Sequence, residues 1–142
     1  MVPRGKAAVR RPGGAVTIVA VSRMVHVALE AAQLLAADGI EAEVIDPRTL
    51  VPLDIDALVG SVKRTNRALV VDGGHIQFGV TGEIAASIAE LAFDYLDAPV
   101  MRIGAPQTPI PVSRSLEPLV APDAARIADR VRGMFGQRHT QQ

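Results

Sequence analysis

Apolar residues along this chain follow two patterns: short uninterrupted runs, and longer stretches with helical spacing. Residues 16–21 are a β-branched and apolar run without a charge, as in a strand that is buried on both faces of a parallel sheet. Residues 68–72 repeat this pattern, and residues 41–46 alternate polar with apolar positions. With weaker segments near 6–10 and 99–103, the pattern predicts five strands.

Between these runs, apolar residues recur every three or four positions, which predicts amphipathic helices. The first two helices are expected from a cap at Ser22 to residue 38 and from a cap at Asp54 through residue 62. A third follows the segment Gly79 to Gly82 and continues to Tyr95, and a fourth runs from about Asp123 to 135. Gly39 is placed to end the first of them.

The alternation of strands and helices predicts the fold class. It indicates an α/β fold with three layers, α/β/α, around a mostly parallel sheet. Residues 16–21 belong in the interior of this sheet, because they have no polar face to turn to water. The weak first strand is expected to be an antiparallel edge, so the sheet is mixed.

A glycine-rich turn follows the second apolar run and leads into a helix. We expect Gly73 and Gly74 to take positive φ where the strand turns. The turn after a strand's carboxyl end is where partners and ligands usually meet an open α/β sheet. Apolar residues of this turn and of the later proline-rich loop are expected on the surface, which predicts a contact patch. The predicted partner-contact residues are Asp72, Gly73, Gly74, His75, Phe78, Ile110 and Val112.

Length, charge and composition narrow the class of protein. A chain of 142 residues predicts one domain, expected over residues 3–135 with a flexible tail at 136–142. The formal net charge of zero predicts no general attraction to nucleic acid or to anionic membranes. The absence of cysteine excludes disulfides and thiolate chemistry. No apolar run reaches the roughly 18 residues of a membrane span, and no signal peptide is evident, so a cytoplasmic location is expected.

Familiar catalytic patterns are missing from the chain. The turn after the first parallel strand, at Ser22, contains no glycine, which disfavours a dinucleotide site. The glycine turn lacks the spacing and the lysine of a phosphate loop. The three histidines lack the spacing of a metal site, and no Gly-x-Ser-x-Gly elbow presents a nucleophile. We therefore assign no catalytic residue and no metal ligand.

Several short motifs occur in a fixed order along the chain. They are Gly5-Lys6-Ala7, Arg11-Pro12-Gly13, Val16-Thr17-Ile18-Val19, the stretch from Ile45 to Asp54, the stretch from Ser61 to Asn66, Val71-Asp72-Gly73-Gly74, Gln77-Phe78-Gly79-Val80, Leu96-Asp97-Ala98-Pro99, and Pro109 with Pro111. Together they resemble the C-terminal domain of transketolase-like enzymes over residues 3–135. The strongest resemblance is to the beta subunit of the decarboxylase component of pyruvate and branched-chain 2-oxo acid dehydrogenases.

This resemblance implies a five-stranded mixed sheet with an antiparallel first strand, and a role in subunit assembly without catalysis by this chain. It also implies that thiamine diphosphate and magnesium belong to other domains of the parent enzyme, so this chain is expected to bind no cofactor. The implied partners are a second copy in a homodimer, the alpha subunit and the dihydrolipoyl acyltransferase. The alternative is a stand-alone domain that binds a nucleotide or an acyl phosphate in a crevice near Ser22, Asp46 and Asp72.

Glu83 follows the glycine turn and falls in the first turn of a helix, where the macrodipole favours a carboxylate. Arg102 lies in an otherwise apolar strand, where a buried arginine requires an anion. We therefore predict a structural ion pair between Glu83 and Arg102, with Arg48 as the rival partner.

Overall fold

The structure is a computed structural model that describes residues 5–105 and 122–136. This part of the chain contains five strands, four α-helices and one short 3-10 helix. In chain order the elements are β1 (Ala8–Arg11), β2 (Val16–Ala20), α1 (Met24–Ala36), β3 (Ala42–Asp46), α2 (Ile55–Thr65), β4 (Ala68–His75), α3 (Val80–Leu91), the 3-10 helix (Phe93–Tyr95), β5 (Met101–Ala105) and α4 (Ala124–Gly136). None of the helices described has the length and apolarity needed to cross a membrane.

The five strands form one sheet in the order β1-β3-β2-β4-β5. β1 runs antiparallel to β3, and the other neighbouring pairs are parallel. β2 lies at the centre of the sheet, and all of its residues are buried. The predicted mixed sheet, its antiparallel first strand and the interior position of residues 16–20 are confirmed.

The two faces of the sheet carry different helices. Val16 and Ile18 of β2 belong to a core that includes α1 and α4. Val19 belongs to a second core, on the opposite face, that includes α2 and α3. Because successive side chains of a strand point to opposite faces, a central strand without polar faces requires a helical layer on each side. The predicted three-layer α/β/α arrangement is confirmed.

Helix ends depend on local backbone conformation. Asp54 caps α2 as predicted, because its Oδ1 accepts a hydrogen bond from the backbone N–H of Ala57 at 3.3 Å. Gly39 has a φ of 79°, in the left-handed region, and turns the chain after α1. The predicted cap at Ser22 is wrong, since α1 has no side-chain cap. Ser22 has a φ of 58°, whereas a capping residue needs an extended backbone.

A buried polar cluster lies between α2 and the sheet. Thr17 Oγ1 contacts Ser61 Oγ at 2.6 Å and Thr65 Oγ1 at 2.7 Å. Ser61 Oγ donates to Glu43 Oε2 at 2.5 Å, and Arg64 Nη2 donates to the same oxygen at 3.0 Å. Glu43 is only 5% exposed. Hydrogen bonds as well as apolar contacts therefore join α2 to β2 and β3.

Candidate functional site

The glycine turn, residues 72–79, leaves the sheet at the carboxyl end of β4. The strand continues to His75, beyond the predicted end, and His75 pairs with Ala105 of β5. The predicted positive φ at Gly73 and Gly74 is wrong, because both glycines lie within β4. Since pairing with β5 keeps the backbone extended here, the chain turns only after this strand.

Close backbone contacts explain why glycines are needed around this turn. A β-carbon at Gly104 would lie 3.0 Å from the carbonyl oxygen of Gly74. A β-carbon at Gly79 would lie 2.0 Å from the carbonyl oxygen of His75. Neither position accepts a side chain without a shift of the backbone. The glycine turn is therefore tightly closed against β4 and β5.

Phe78 is the side chain that this turn presents to solvent. Its ring is fully exposed, and its φ is 57°. A left-handed conformation is unfavourable by about 1–2 kcal/mol for a residue with a β-carbon. Because the exposed ring also gains no burial, neither the backbone nor the core explains phenylalanine at this position. The arrangement favours contact with another molecule.

The other residues predicted for partner contact either are half-buried in the glycine turn or lie outside the described residues. Asp72 and His75 are half-buried in the glycine turn, and Asp72 Oδ1 accepts a hydrogen bond from the backbone N–H of Gly73 at 2.8 Å. Ile110 and Val112 lie outside the described residues. The partner contact of the whole set stays a prediction.

Arg102 holds the glycine turn through a backbone carbonyl. Its Nη1 donates to the carbonyl oxygen of Ile76 at 2.9 Å. Glu83 is exposed in the first turn of α3, and within the described residues no ion pair joins it to Arg102 or to Arg48. The predicted ion pair is therefore not formed among these residues. The half-buried guanidinium has the Ile76 carbonyl as an acceptor in place of the predicted carboxylate.

A small pocket of about 360 Å³ lies at the carboxyl ends of β2 and β3. Ser22, Asp46 and Arg48 line it, whereas Asp72 does not. Ser22 and Arg48 both have positive φ, at 58° and 64°. Asp46 Oδ1 accepts a hydrogen bond from the backbone N–H of Arg48 at 2.8 Å. Two of the three residues predicted for a crevice therefore share one pocket, and the third belongs to the glycine turn.

A larger groove lies beside β5, the edge strand of the sheet, and has a volume of about 1030 Å³. We name it the β5 groove, and its lining includes Gly82, Ala86, Ala89, Phe93, Asp94 and Arg102. The sequence analysis missed this groove. The sequence signal that could have indicated this groove is the spacing of small residues on one side of α3, at positions 82, 86 and 89.

The chain matches the family model described as "Transketolase, C-terminal domain" over residues 5–127. It belongs to the transketolase C-terminal domain family. The same relationship is visible in a solved structure, a split gene transketolase titled an inactive beta4 tetramer. That structure aligns with a TM-score of 0.78 and 27% sequence identity, over 95% of this chain and 43% of the other. The predicted resemblance and fold are confirmed.

Two relatives show which subunits this transketolase C-terminal domain is similar to. The beta subunit of acetoin:2,6-dichlorophenolindophenol oxidoreductase from Bacillus subtilis is 44% identical over 96% of this chain. The beta subunit of the mitochondrial pyruvate dehydrogenase E1 component from Dictyostelium discoideum is 49% identical over 82% of it. The matched parts are 40% and 33% of those relatives, so this transketolase C-terminal domain spans about two fifths or less of their length.

Proposed function

We propose that this chain is the subunit-assembly domain of a beta subunit of a thiamine diphosphate-dependent 2-oxo acid dehydrogenase, and that it catalyses nothing by itself. Relatives named for pyruvate dehydrogenase and for acetoin oxidoreductase match it at 49% and 44% identity. The proposal therefore concerns the class of subunit, pyruvate or branched-chain enzymes included, and not one substrate. The small-molecule binding alternative gains no support from these relatives.

The exposed ring of Phe78 carries this proposal. Aromatic side chains dominate the binding energy of many protein interfaces. A ring on a tightly closed turn loses little conformational freedom on binding, which favours affinity. The proposed partners are a second copy of the chain, the alpha subunit and the dihydrolipoyl acyltransferase. Self-association is supported by the split gene transketolase, which is described as a beta4 tetramer.

Thiamine diphosphate and magnesium are proposed to bind other domains of the parent enzyme. At the strand ends, Asp46 Oδ1 and Asp72 Oδ1 each accept a backbone N–H of their own turn, so one oxygen of each carboxylate already serves the fold. The described residues also hold no group of three or more metal-binding side chains. Calorimetry of the purified chain with thiamine diphosphate and magnesium should show no binding. Micromolar affinity would contradict this part of the proposal.

Phe78→Ala tests the assembly role. The purified chain is titrated with the whole alpha subunit and with the acyltransferase of the same complex, and the wild type should bind at least one of them. The variant should bind about 30-fold more weakly, as for a hot spot of about 2 kcal/mol. Its free energy of unfolding should stay within about 0.5 kcal/mol, because the ring has no buried contacts.

Leu34→Ala is the matched control, since Leu34 is an exposed apolar residue on α1, away from the glycine turn. This variant should bind as the wild type does. Absence of binding by the wild type to both subunits, or unchanged affinity of Phe78→Ala, would refute the assembly role of the glycine turn.

A further inference from the structure

Two residues with an unfavourable backbone conformation line the small pocket at the carboxyl ends of β2 and β3. Ser22 and Arg48 have φ values of 58° and 64°, which are unfavourable for any residue with a β-carbon. The other described non-glycine residues with positive φ have separate explanations, since Asn66 ends α2 and Phe78 stands on the glycine turn. Backbone strain of this kind collects at functional sites, so two instances around one pocket indicate that the pocket has a use.

The strain at Ser22 belongs to the turn that joins β2 to α1. The N–H of Met24 donates to the carbonyl oxygen of Val21 at 3.1 Å, and Arg23 has a right-handed backbone, so this is a type II′ turn. In enzymes that expose a serine on a strained turn from strand to helix, the N–H of the next residue binds an oxyanion. Among the described residues, the N–H of Arg23 has no acceptor. The hydroxyl of the exposed Ser22 and this N–H are therefore both available to a ligand.

The charges around the pocket favour an anion. Arg48 is exposed, and within the described part of the chain its guanidinium forms no hydrogen bond or ion pair. The carboxylate of Asp46 is already balanced, because its Oδ2 lies 3.9 Å from Arg10 Nη1. The amino-terminal end of α1 adds positive potential, since its first turn contains no acid. One unpaired cation therefore serves this pocket.

The size and the walls of the pocket limit its ligand. Its volume of about 360 Å³ is near the lower end for small-molecule sites. Val21, Pro47 and Leu50 line it beside the polar residues, so part of the ligand is apolar. A nucleotide or a diphosphate would bring several negative charges to a site with one unpaired cation and a carboxylate. A small ligand with a single negative charge fits better.

We propose that this pocket binds a small aliphatic carboxylate with a hydroxyl or ammonium group on the carbon next to the carboxylate. One carboxylate oxygen accepts from the Ser22 hydroxyl and from the N–H of Arg23. The other oxygen binds the guanidinium of Arg48. Asp46 Oδ2 accepts from the hydroxyl or ammonium group, because Oδ1 already holds the backbone N–H of Arg48 at 2.8 Å. The site goes beyond the assembly function and does not depend on it.

Propionate, lactate and free alanine test the chemistry of the site. They share one carbon skeleton and carry, next to the carboxylate, only hydrogen, a hydroxyl and an ammonium group respectively. Each is titrated into the nitrogen-15-labelled chain at constant ionic strength, and the Arg23 amide is followed by NMR. Lactate or alanine should shift this amide with an about millimolar dissociation constant. Propionate should bind about tenfold more weakly, since it lacks the donor for Asp46. Inorganic phosphate should also bind more weakly.

Arg48→Asn tests the cation. Asparagine tolerates a positive φ, so the loop should keep its conformation, which circular dichroism and urea unfolding check. The variant should bind lactate and alanine at least about tenfold more weakly. Arg23→Gln is the matched control, because it removes the same charge from a neighbouring side chain that does not line the pocket and keeps the backbone N–H. Its affinity should stay within about twofold, since solvent screens an exposed charge.

Asp46→Asn tests the second contact. The asparagine oxygen can still accept the N–H of Arg48, so the turn is preserved, but the carboxylate is lost. The advantage of lactate and alanine over propionate should disappear.

The proposal is overturned if lactate and alanine leave the Arg23 amide unmoved up to about 50 mM. It is also overturned if propionate or phosphate binds equally well, or if Arg48→Asn keeps its affinity. A loss in Arg23→Gln as large as that in Arg48→Asn would show only a general attraction of anions and would refute the site. The assembly function is tested separately through Phe78. A chain that binds the alpha subunit but no carboxylate would therefore refute this inference alone.

Discussion

Replacing Ser61 by alanine tests whether the buried polar cluster holds α2 on the sheet. Ser61 Oγ lies 2.6 Å from Thr17 Oγ1 and 2.5 Å from Glu43 Oε2. An ionised carboxylate only accepts hydrogen bonds, so Ser61 donates to Glu43 and accepts from Thr17. The substitution removes both bonds. It leaves the buried Glu43 with Arg64 as its remaining partner in the described residues.

The expected loss in the free energy of unfolding is about 2–4.5 kcal/mol. A hydrogen bond to a charged group contributes about 1.5–3 kcal/mol, and one between neutral groups contributes about 0.5–1.5 kcal/mol. The Arg64 side chain is 64% exposed, so solvent screens its charge and it compensates little for the lost donor. For a domain with a total stability of about 5–15 kcal/mol, this is a large fraction.

Urea unfolding, followed by circular dichroism, measures this loss. The midpoint should fall while the slope against urea stays constant, because the surface exposed on unfolding hardly changes. For a chain of 142 residues, the melting temperature should fall by roughly 3–4 °C per kcal/mol, or by about 10 °C for a loss of 3 kcal/mol.

Ser87→Ala is the matched control, because Ser87 also lies on a helix but forms no side-chain hydrogen bond within the described residues. Its unfolding free energy should change by no more than about 0.5 kcal/mol. Adding Glu43→Leu to the Ser61 variant should restore at least about 1 kcal/mol, since both partners of the charged bond are then gone. If Ser61→Ala costs no more than the control, the polar cluster does not stabilise the docking of α2.

Four further substitutions are expected to affect stability, each measured by urea unfolding. Gly79→Ala should lower the free energy of unfolding by about 1–3 kcal/mol, because the added β-carbon would lie 2.0 Å from a backbone oxygen. Gly60→Ala should raise it by about 0.5–1 kcal/mol, because Gly60 lies inside α2 and the nearest atom to its added β-carbon is 3.9 Å away. Equal effects of the two substitutions would contradict these contacts. Asp54→Ala should lower the free energy of unfolding by about 1–2 kcal/mol, because Asp54 caps α2 and also accepts a hydrogen bond from the backbone N–H of Ala7, just before β1. An unchanged urea midpoint would argue against both bonds. Glu83→Ala should cost only about 0.3–1 kcal/mol, the contribution of an exposed first-turn acid, and a loss of several kcal/mol would reveal a buried ion pair.

The sheet and its layers were readable from the sequence, because they depend on local patterns of side chains. Residues 16–20 carry no charge and have apolar side chains on both faces of the strand, so their central position in the sheet follows from composition alone. Asp54 capped its helix as predicted because an N-cap bond reaches only three residues along the chain. The antiparallel first strand was expected from its weak pattern and from the family resemblance, and β1 does run antiparallel to its neighbour β3.

Contacts between distant segments were decided only by the tertiary structure. In the sequence, Glu43 is one polar position of an alternating strand, and nothing local shows that Ser61, 18 residues later, buries and binds it. Arg102 was expected to pair with Glu83, but it instead donates to the Ile76 carbonyl of the glycine turn. A local pattern determines which face of an element a side chain lies on. Its hydrogen-bond partner is determined by how elements pack, because groups far apart in sequence compete for the same donor.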